Sequence, residues 1–424
     1  MLLKRFLQDT NASIAPLLAL ITIPLFGFVG AAVDYGSASS VRTSMQSALD
    51  STALMLSKTA GTLNQTQLQE SATALFNANF SRPEAQNTQV SVAYNTNGGA
   101  FAVMVTGSAD VQTKFMGALG FSTISISSTA SVNWSNSKLR VALVLDVTGS
   151  MASSGKMDAL KTATHKLLDQ LKAAAQVDGD VYVSIIPFSK DVNVGAEKYD
   201  AAWLDWTDWD AANGTCSKSG YTSKNSCINH SGVWTPRNHN TWNGCITDRT
   251  QNFDTTNTTP VAGNTLFPTE QYSSCPAAIL PLTFDWTALH SKVDELQPAG
   301  NTNQSIGLAW GWQSLSLTAP LNAPALDPNY TYQQVVILLS DGLNTQNRWY
   351  NSANPIDTRQ QIACNNAKTA GIVIYTVLVM SGDSTVLRNC ASDASKYFAL
   401  TNANQMITTF QMIGTSLTKL HLTH

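Results

Sequence analysis

The sequence predicts an α/β protein: a doubly wound, mostly parallel sheet with a disulfide-stapled insert, preceded by a transmembrane helix and a small α+β module. Three observations carry this. Beyond residue 138, apolar runs such as RVALVLD (140–146) and QVVILLS (334–340) alternate with helical stretches, and such alternation implies parallel strands covered on both faces. Residues 10–33 contain no charged side chain. All six cysteines lie beyond residue 215. At roughly 150 residues per domain, the 424 residues make about three units.

The apolar core, Ile14 to Val33, has the ~20 residues a membrane helix needs. Lys4 and Arg5 precede it and Asp34 follows, so the first dozen residues stay cytoplasmic and the rest is exported. The stretch is too long for a cleaved signal peptide, whose apolar region is about 7–15 residues. Beyond it, Val41, Met45, Ala48, Leu49, Ala53, Leu54 and Leu56 recur at helical spacing, so anchor and extension form one helix. A second helix is expected over Gln65–Asn79, after Thr62-Leu63-Asn64 and before Ser81-Arg82-Pro83. Val90, Val92, Tyr94 and Phe101, Val103, Val105 then alternate about a turn at Asn97-Gly98-Gly99, a hairpin signal. A short helix at Thr113–Leu119 and a strand at Thr123–Val132 complete the module. The expected divisions are 1–12 (cytoplasmic tail), 13–33 (membrane helix), 34–136 (helix plus α+β module) and 138–424 (α/β domain, insert at about 190–280).

In the α/β domain the predicted order begins with strand Arg140–Asp146, helix Lys156–Ala175 and strand Val181–Phe188. After the insert come helices Asp285–Leu296 and Gln304–Leu317, strand Gln334–Ser340, helix Thr358–Ala370 and strand Ile372–Val379. A helical turn Thr385–Cys390, strand Tyr397–Leu400 and a helix from Asn404 close the chain. The insert's Trp203, Trp206, Trp209, Trp234 and Trp242 read as a stapled mini-core in preference to an exposed binding surface.

The 25 Lys+Arg against 28 Asp+Glu, with no basic run, exclude a dedicated nucleic-acid binder. Six widely spaced cysteines without a C-x-x-C pair read as disulfides formed in an oxidising compartment. Zinc held with His230 and His239 fits no common structural spacing. The expected bridges are Cys216–Cys227 and Cys245–Cys275 in the insert, one of three ways to connect four cysteines, and Cys364–Cys390. The last ties a helix to the segment after the next strand.

Three segments at strand ends or loops carry chemistry: Asp146-Val147-Thr148-Gly149-Ser150, Gly300-Asn301-Thr302 and Ser340-Asp341-Gly342. In a doubly wound sheet such loops converge at the strands' carboxyl ends. They offer carboxylates and hydroxyls, hard oxygen donors suited to Mg²⁺ (or Mn²⁺). A phosphate-binding loop at Gly149…Gly155-Lys156 fails, because five residues separate the glycines and Met157 replaces the required hydroxyl. Ser153-x-x-Lys156 lacks the SDN and KTG partners of penicillin-binding enzymes. No Ser-His-Asp set suggests itself among six histidines.

The three segments together resemble the metal-ion-dependent adhesion site (MIDAS) of von Willebrand factor A (vWA) domains, D-x-S-x-S with a distant Thr and Asp; Thr148 stands for the middle Ser. The resemblance implies that Thr148 and Ser150 touch the metal, that Thr302 joins in the liganded state, and that Asp146 and Asp341 act largely through water. More widely, Phe6, Ala15, Ala19, Gly30, Val33-Asp34-Tyr35, Gln46 and Leu49-Asp50 resemble TadE/TadG-type proteins of Flp (tight-adherence) pilus assembly, as does Thr113-Lys114-Phe115-Met116…Gly120. Trp242-Asn243-Gly244-Cys245, Cys275-Pro276, Trp310-Gly311-Trp312 and Cys364…Ala370-Gly371-Ile372 resemble the TadG branch. This implies a pilin-like α+β module, a single-pass anchor in the bacterial inner membrane and a periplasmic bulk. It also implies a non-enzymatic role: gripping the carboxylate of a protein partner, a pilus-assembly component, through the metal. A surface adhesin using the same site on a host or matrix ligand is the alternative.

Overall fold

The computed structural model describes residues 14–422 except 98, 99, 136, 176 and 383. They divide into two compact units, Met1–Asn136 and Ser137–His424. The expected tail, 1–12, lies outside the described residues.

In the first unit the apolar stretch and its extension are one helix, α1 (Ile14–Ser57), long and apolar enough to cross a membrane by length and composition. Its later half buries Val41, Met45, Ala48, Leu49, Ala53 and Leu56. Leu54, expected with them, is exposed. Helix α2 (Gln65–Asn79) starts at a capping box, in which Asn64 and Gln67 satisfy each other's backbone N–H. Strands β1 (Ala85–Asn97), β2 (Ala100–Gln112) and β3 (Thr123–Ser135) form an antiparallel sheet in that order. The turn pair Gly98-Gly99 lies outside the described residues. Alternate residues of β2 (Val103, Val105, Ala109, Val111) face α1 and α2 in one apolar core.

The helix expected at Thr113–Leu119 shrinks to a 3-10 turn, Met116–Leu119. The Asp34 carboxylate on α1 accepts the backbone N–H groups of Lys114, Phe115 and Met116 at 2.8, 2.9 and 2.7 Å. Those donors are therefore fixed to a neighbouring helix, and Gly120 (φ +94°) ends the turn.

The second unit is built on strands β4 (Ser137–Asp146), β5 (Val181–Phe188), β6 (Leu280–Thr283), β7 (Thr331–Ser340), β8 (Val373–Val379) and β9 (Tyr397–Leu400). Their spatial order is β6-β5-β4-β7-β8-β9, with β6 antiparallel and the others parallel. The period of two puts Val141, Leu143 and Leu145 of β4 with Ile337 and Leu339 of β7 in one core. Ala142, Val144, Val336 and Leu338 enter the other. Helices α3 (Lys156–Ala174), α4 (Trp286–Asp294) and α8 (Gln405–Leu422) cover the first face. The second is covered by α5 (Gln304–Ser314), α6 (Ala353–Thr369) and α7 (Ser384–Cys390). Helix α5 lies against the sheet at Gly311, where a Cβ would stand 2.4 Å from Val144 Cγ2; the Trp310-Gly311-Trp312 run needs its glycine for that approach.

Two boundaries differ from expectation. Helix α6 begins at Ala353, five residues early, because Pro355 falls in the first turn, where its missing N–H costs nothing. Strand β6 was not foreseen: four residues containing Pro281 carry little periodic signal, and the strand sits at the sheet edge where proline is tolerated.

The insert hangs between β5 and β6. Disulfides join Cys216–Cys227 and Cys245–Cys275 within it, and Cys364 in mid-α6 to Cys390 at the end of α7. Trp209 and Trp242 are buried, and Trp206 packs edge-on to both while stacking on His239 at 3.7 Å. Trp234 is half-buried and donates from its ring to the Asp210 carbonyl at 2.8 Å. Trp203 packs on Phe267 and Trp310. Trp203, Trp206, Trp209 and Trp242 join the second apolar core of the sheet, so the expected mini-core is continuous with it and Trp234 stands outside it.

Candidate metal centre

The sheet order reverses between β4 and β7, and crevices at such switch points are where open α/β sheets take ligands. Asp146 ends β4 and Ser340 ends β7. The Asp146 carboxylate is wholly buried: one oxygen accepts the Thr148 N–H (2.8 Å) and hydroxyl (2.6 Å), the other the Ser340 hydroxyl (2.6 Å). Thr148 Oγ1 lies 3.0 Å from Ser150 Oγ, which donates to Asp341 Oδ1 at 2.5 Å. The loop between them turns into a 3-10 segment, Gly149–Ala152, with Thr148 extended at its start.

Thr302 approaches from the loop before α5. Its N–H donates to Thr345 Oγ1 (2.8 Å) and its carbonyl accepts the Thr345 N–H (2.9 Å). A Cβ built on Gly342 would lie 3.8 Å from Ser150 Oγ and 4.0 Å from Thr302 Oγ1. All five residues singled out by sequence, Asp146, Thr148, Ser150, Thr302 and Asp341, are therefore brought to one place, lined by oxygen.

Burial first, and then repulsion from Asp341, raises the Asp146 pKa to about 6 against the hydrogen bonds from Ser340 and Thr148. Two carboxylates meet one counter-charge here: Lys156, at the start of α3, donates to Asp341 Oδ2 at 2.5 Å and to the Ser150 carbonyl at 3.4 Å. The pocket retains an excess negative charge, and its donors are all hard oxygens. A divalent cation such as Mg²⁺ fits that chemistry. Among the described residues no group of three or more His, Cys, Asp or Glu is placed to hold a metal, so any ion here rests on hydroxyls as well.

The insert supports the site from behind. Asn303, next to Thr302, donates from its side chain to Asp248 (2.8 Å) and to the Lys190 carbonyl (3.2 Å), and from its backbone to Ser189 (3.1 Å). The loop after β7 joins the same carboxylate through the Arg348 N–H at 3.2 Å. Burial pushes Asp248 up to about 6, opposed by these hydrogen bonds. Sequence reasoning missed Lys156, Ser340, Thr345 and Asp248 as members of this constellation. Lys156 closes the Gly149…Gly155-Lys156 run and Ser340 opens Ser340-Asp341-Gly342, whereas Thr345 and Asp248 carry no local signal. His165 pairs with His290 at 2.7 Å between α3 and α4.

Comparison with known proteins adds an N-terminal likeness. The N-terminal segment is TadE/G-like: residues 12–55 match the family model described as "Putative Flp pilus-assembly TadE/G-like". No curated protein matches the chain. Among solved structures, the pilus adhesin SpaC from Lactobacillus rhamnosus GG is 13% identical at TM-score 0.39, covering 81% of this chain and 36% of SpaC. The chain thus spans about a third of that protein's length. The vWF domain of the type V pili tip protein Mfa5 from Porphyromonas gingivalis is 10% identical at TM-score 0.39, over 67% of this chain and 96% of that one. Proximal thread matrix protein 1 from the mussel byssus, with a zinc-occupied MIDAS motif, is 14% identical at TM-score 0.34, over 67% and 46%.

Proposed function

We propose that this chain is a membrane-anchored component of Flp/Tad pilus assembly whose vWA-type domain captures a carboxylate of a protein partner through a divalent cation. The observation that carries the reading is the convergence of Asp146, Thr148, Ser150, Thr302 and Asp341 at the β4/β7 switch point. Thr148, Ser150 and Thr302 contribute neutral hydroxyls; Asp146 holds that of Thr148, Asp341 that of Ser150, and the two carboxylates set the charge. When bound, Mg²⁺ or Mn²⁺ supplies an electrophilic centre for an external anion. A shell poor in direct charge favours reversible capture, and Lys156, the ammonium that reaches this site among the described residues, is engaged with Asp341. The role is therefore binding, not turnover. In this reading residues 13–33 cross the inner membrane once with residues 1–12 cytoplasmic, and the 34–136 module and 138–424 domain stand in the periplasm.

The test is genetic and biochemical together. Asp146→Ala and Asp341→Ala should accumulate as stable protein, since burial in two apolar layers holds the strands, yet fail in partner capture and pilus formation. The purified wild-type chain should retain its partner in Mg²⁺ and release it in EDTA, with no metal-dependent hydrolysis of peptide, ester or phosphate substrates. Pili at wild-type level from either variant would overturn the reading.

A further inference from the structure

The loop between β2 and β3 is held against α1 at the level of the apolar stretch. A Cβ on Gly30 would stand 2.6 Å from Phe115 Cβ, and one on Gly27 would stand 3.9 Å from Leu119 Cδ1. The Asp34 carboxylate ties three successive N–H groups of this loop to α1. At 1.5 Å per residue, Gly30 and Gly27 lie about 6 and 10 Å before Asp34 along the helix. Asp34 is the first charge after the uncharged run 10–33. The loop therefore reaches back along the very segment that is apolar enough to cross a bilayer.

Its composition matches that position. Residues 115–121 read Phe-Met-Gly-Ala-Leu-Gly-Phe, with no charged or polar side chain. Phe115, Leu119 and Phe121 are 54%, 61% and 61% exposed, a poor arrangement in water for three large apolar groups within seven residues. Lys114 precedes them, and Tyr35 on α1 is exposed at the same level, the residue types that sit at a membrane–water boundary. Amphipathic elements typically bury their apolar face about 5–10 Å into the interface, the depth that the Gly27 and Gly30 contacts give.

We propose that residues 115–121 form a second membrane contact, an apolar finger inserted beside α1 into the outer half of the same bilayer. The inference rests on the reading of α1 as a membrane anchor. Gly27 and Gly30 clear room for the finger, and the Asp34 clamp fixes its depth. The three N–H groups held by Asp34 need no water, so that part of the loop backbone meets lipid without orphaned donors.

The six native cysteines are all in disulfides, so an introduced cysteine is a unique thiol for an environment-sensitive fluorophore. The full chain would carry Leu119→Cys or Phe121→Cys, with Val29→Cys on the anchor and Ala74→Cys on exposed α2 as references. Each would be reconstituted in phosphatidylcholine vesicles with and without doxyl-labelled lipid. The expected result is blue-shifted emission at 119 and 121, lost to doxyl quenching as at 29, while the label at 74 is unaffected. Labels at 119 and 121 that behave like 74 while 29 is quenched would overturn the finger and leave the anchor intact. Blue-shifted emission at 119 that lipid does not quench would place a protein partner or second copy there and also overturn it. An unquenched label at 29 would remove the anchor reading, and the finger with it.

Discussion

Replacing Asp146 by Asn separates the electrostatic cost of the site from its architecture. Burial and Asp341 hold the Asp146 carboxyl at about 6 against 3.8 for an ordinary Asp. A gap of about two units at 1.36 kcal/mol each amounts to about 3 kcal/mol. Because the folded pKa is raised, the folded state binds the extra proton. Stability therefore falls as pH rises from about 4 to about 6 and stays lower near neutrality. Asn keeps the shape. Its oxygen accepts from the Thr148 N–H and hydroxyl, and the Ser340 hydroxyl rotates to accept from the new NH₂. Near neutrality and in EDTA, the Asp146→Asn chain in detergent should thus be more stable by up to about 3 kcal/mol, a rise of roughly 5–10 °C in Tm. Wild type should recover a similar amount at about a hundred times the Kd of Mg²⁺ or Mn²⁺, and Asp146→Asn should not respond. Thermal unfolding by fluorescence across pH reads both effects. A variant that melts at or below wild type in EDTA, together with a metal-insensitive wild type, would refute the reasoning.

Lys156→Met removes the ammonium that neutralises Asp341 in a nearly buried pair. Without metal it should lose about 3 kcal/mol, because a carboxylate is left unpaired, whereas metal titration monitored by melting should shift to about tenfold lower concentration, 1.4 kcal/mol. Replacing Cys364 and Cys390 together by Ser opens a loop with a sequence separation of 26 and should cost about 3 kcal/mol in denaturant unfolding; an unchanged midpoint would mean the two helices are held by packing alone. Gly311→Ala should cost about 1–3 kcal/mol, since its methyl would meet Val144 at 2.4 Å; a neutral effect on Tm would show that α5 can move off the sheet.

The sheet was legible because buried parallel strands write themselves as apolar runs: β5 and β9 fall where the pattern puts them, and β4 and β7 extend a few residues further through mutual pairing. That the five oxygen-bearing residues of the candidate site come together was legible because they lie in loops at strand ends or helix starts, where local motif and topology agree. What escaped depends on contacts made across the fold. Lys156 belongs to no motif that survives in the sequence, and its role comes from an ammonium placed on Asp341, 185 positions away. The 113–119 loop looked helical because nothing local says that Asp34 takes its N–H groups. The support from Asp248 comes through an insert whose irregular chain has no period to read.

The unbroken run of α1 has a mechanical consequence. Its 44 residues span about 66 Å, and the 24 from Asp34 to Ser57, about 36 Å, are the spine on which the sheet of the first unit packs. No hinge separates rod from load, and Pro24 falls within the apolar part. Once α1 is seated in a bilayer, any tilt is delivered to the module undiminished. At the ~20° common for membrane helices, the far end of the spine swings sideways by about 12 Å, so the thickness of the membrane becomes a setting for where the module points.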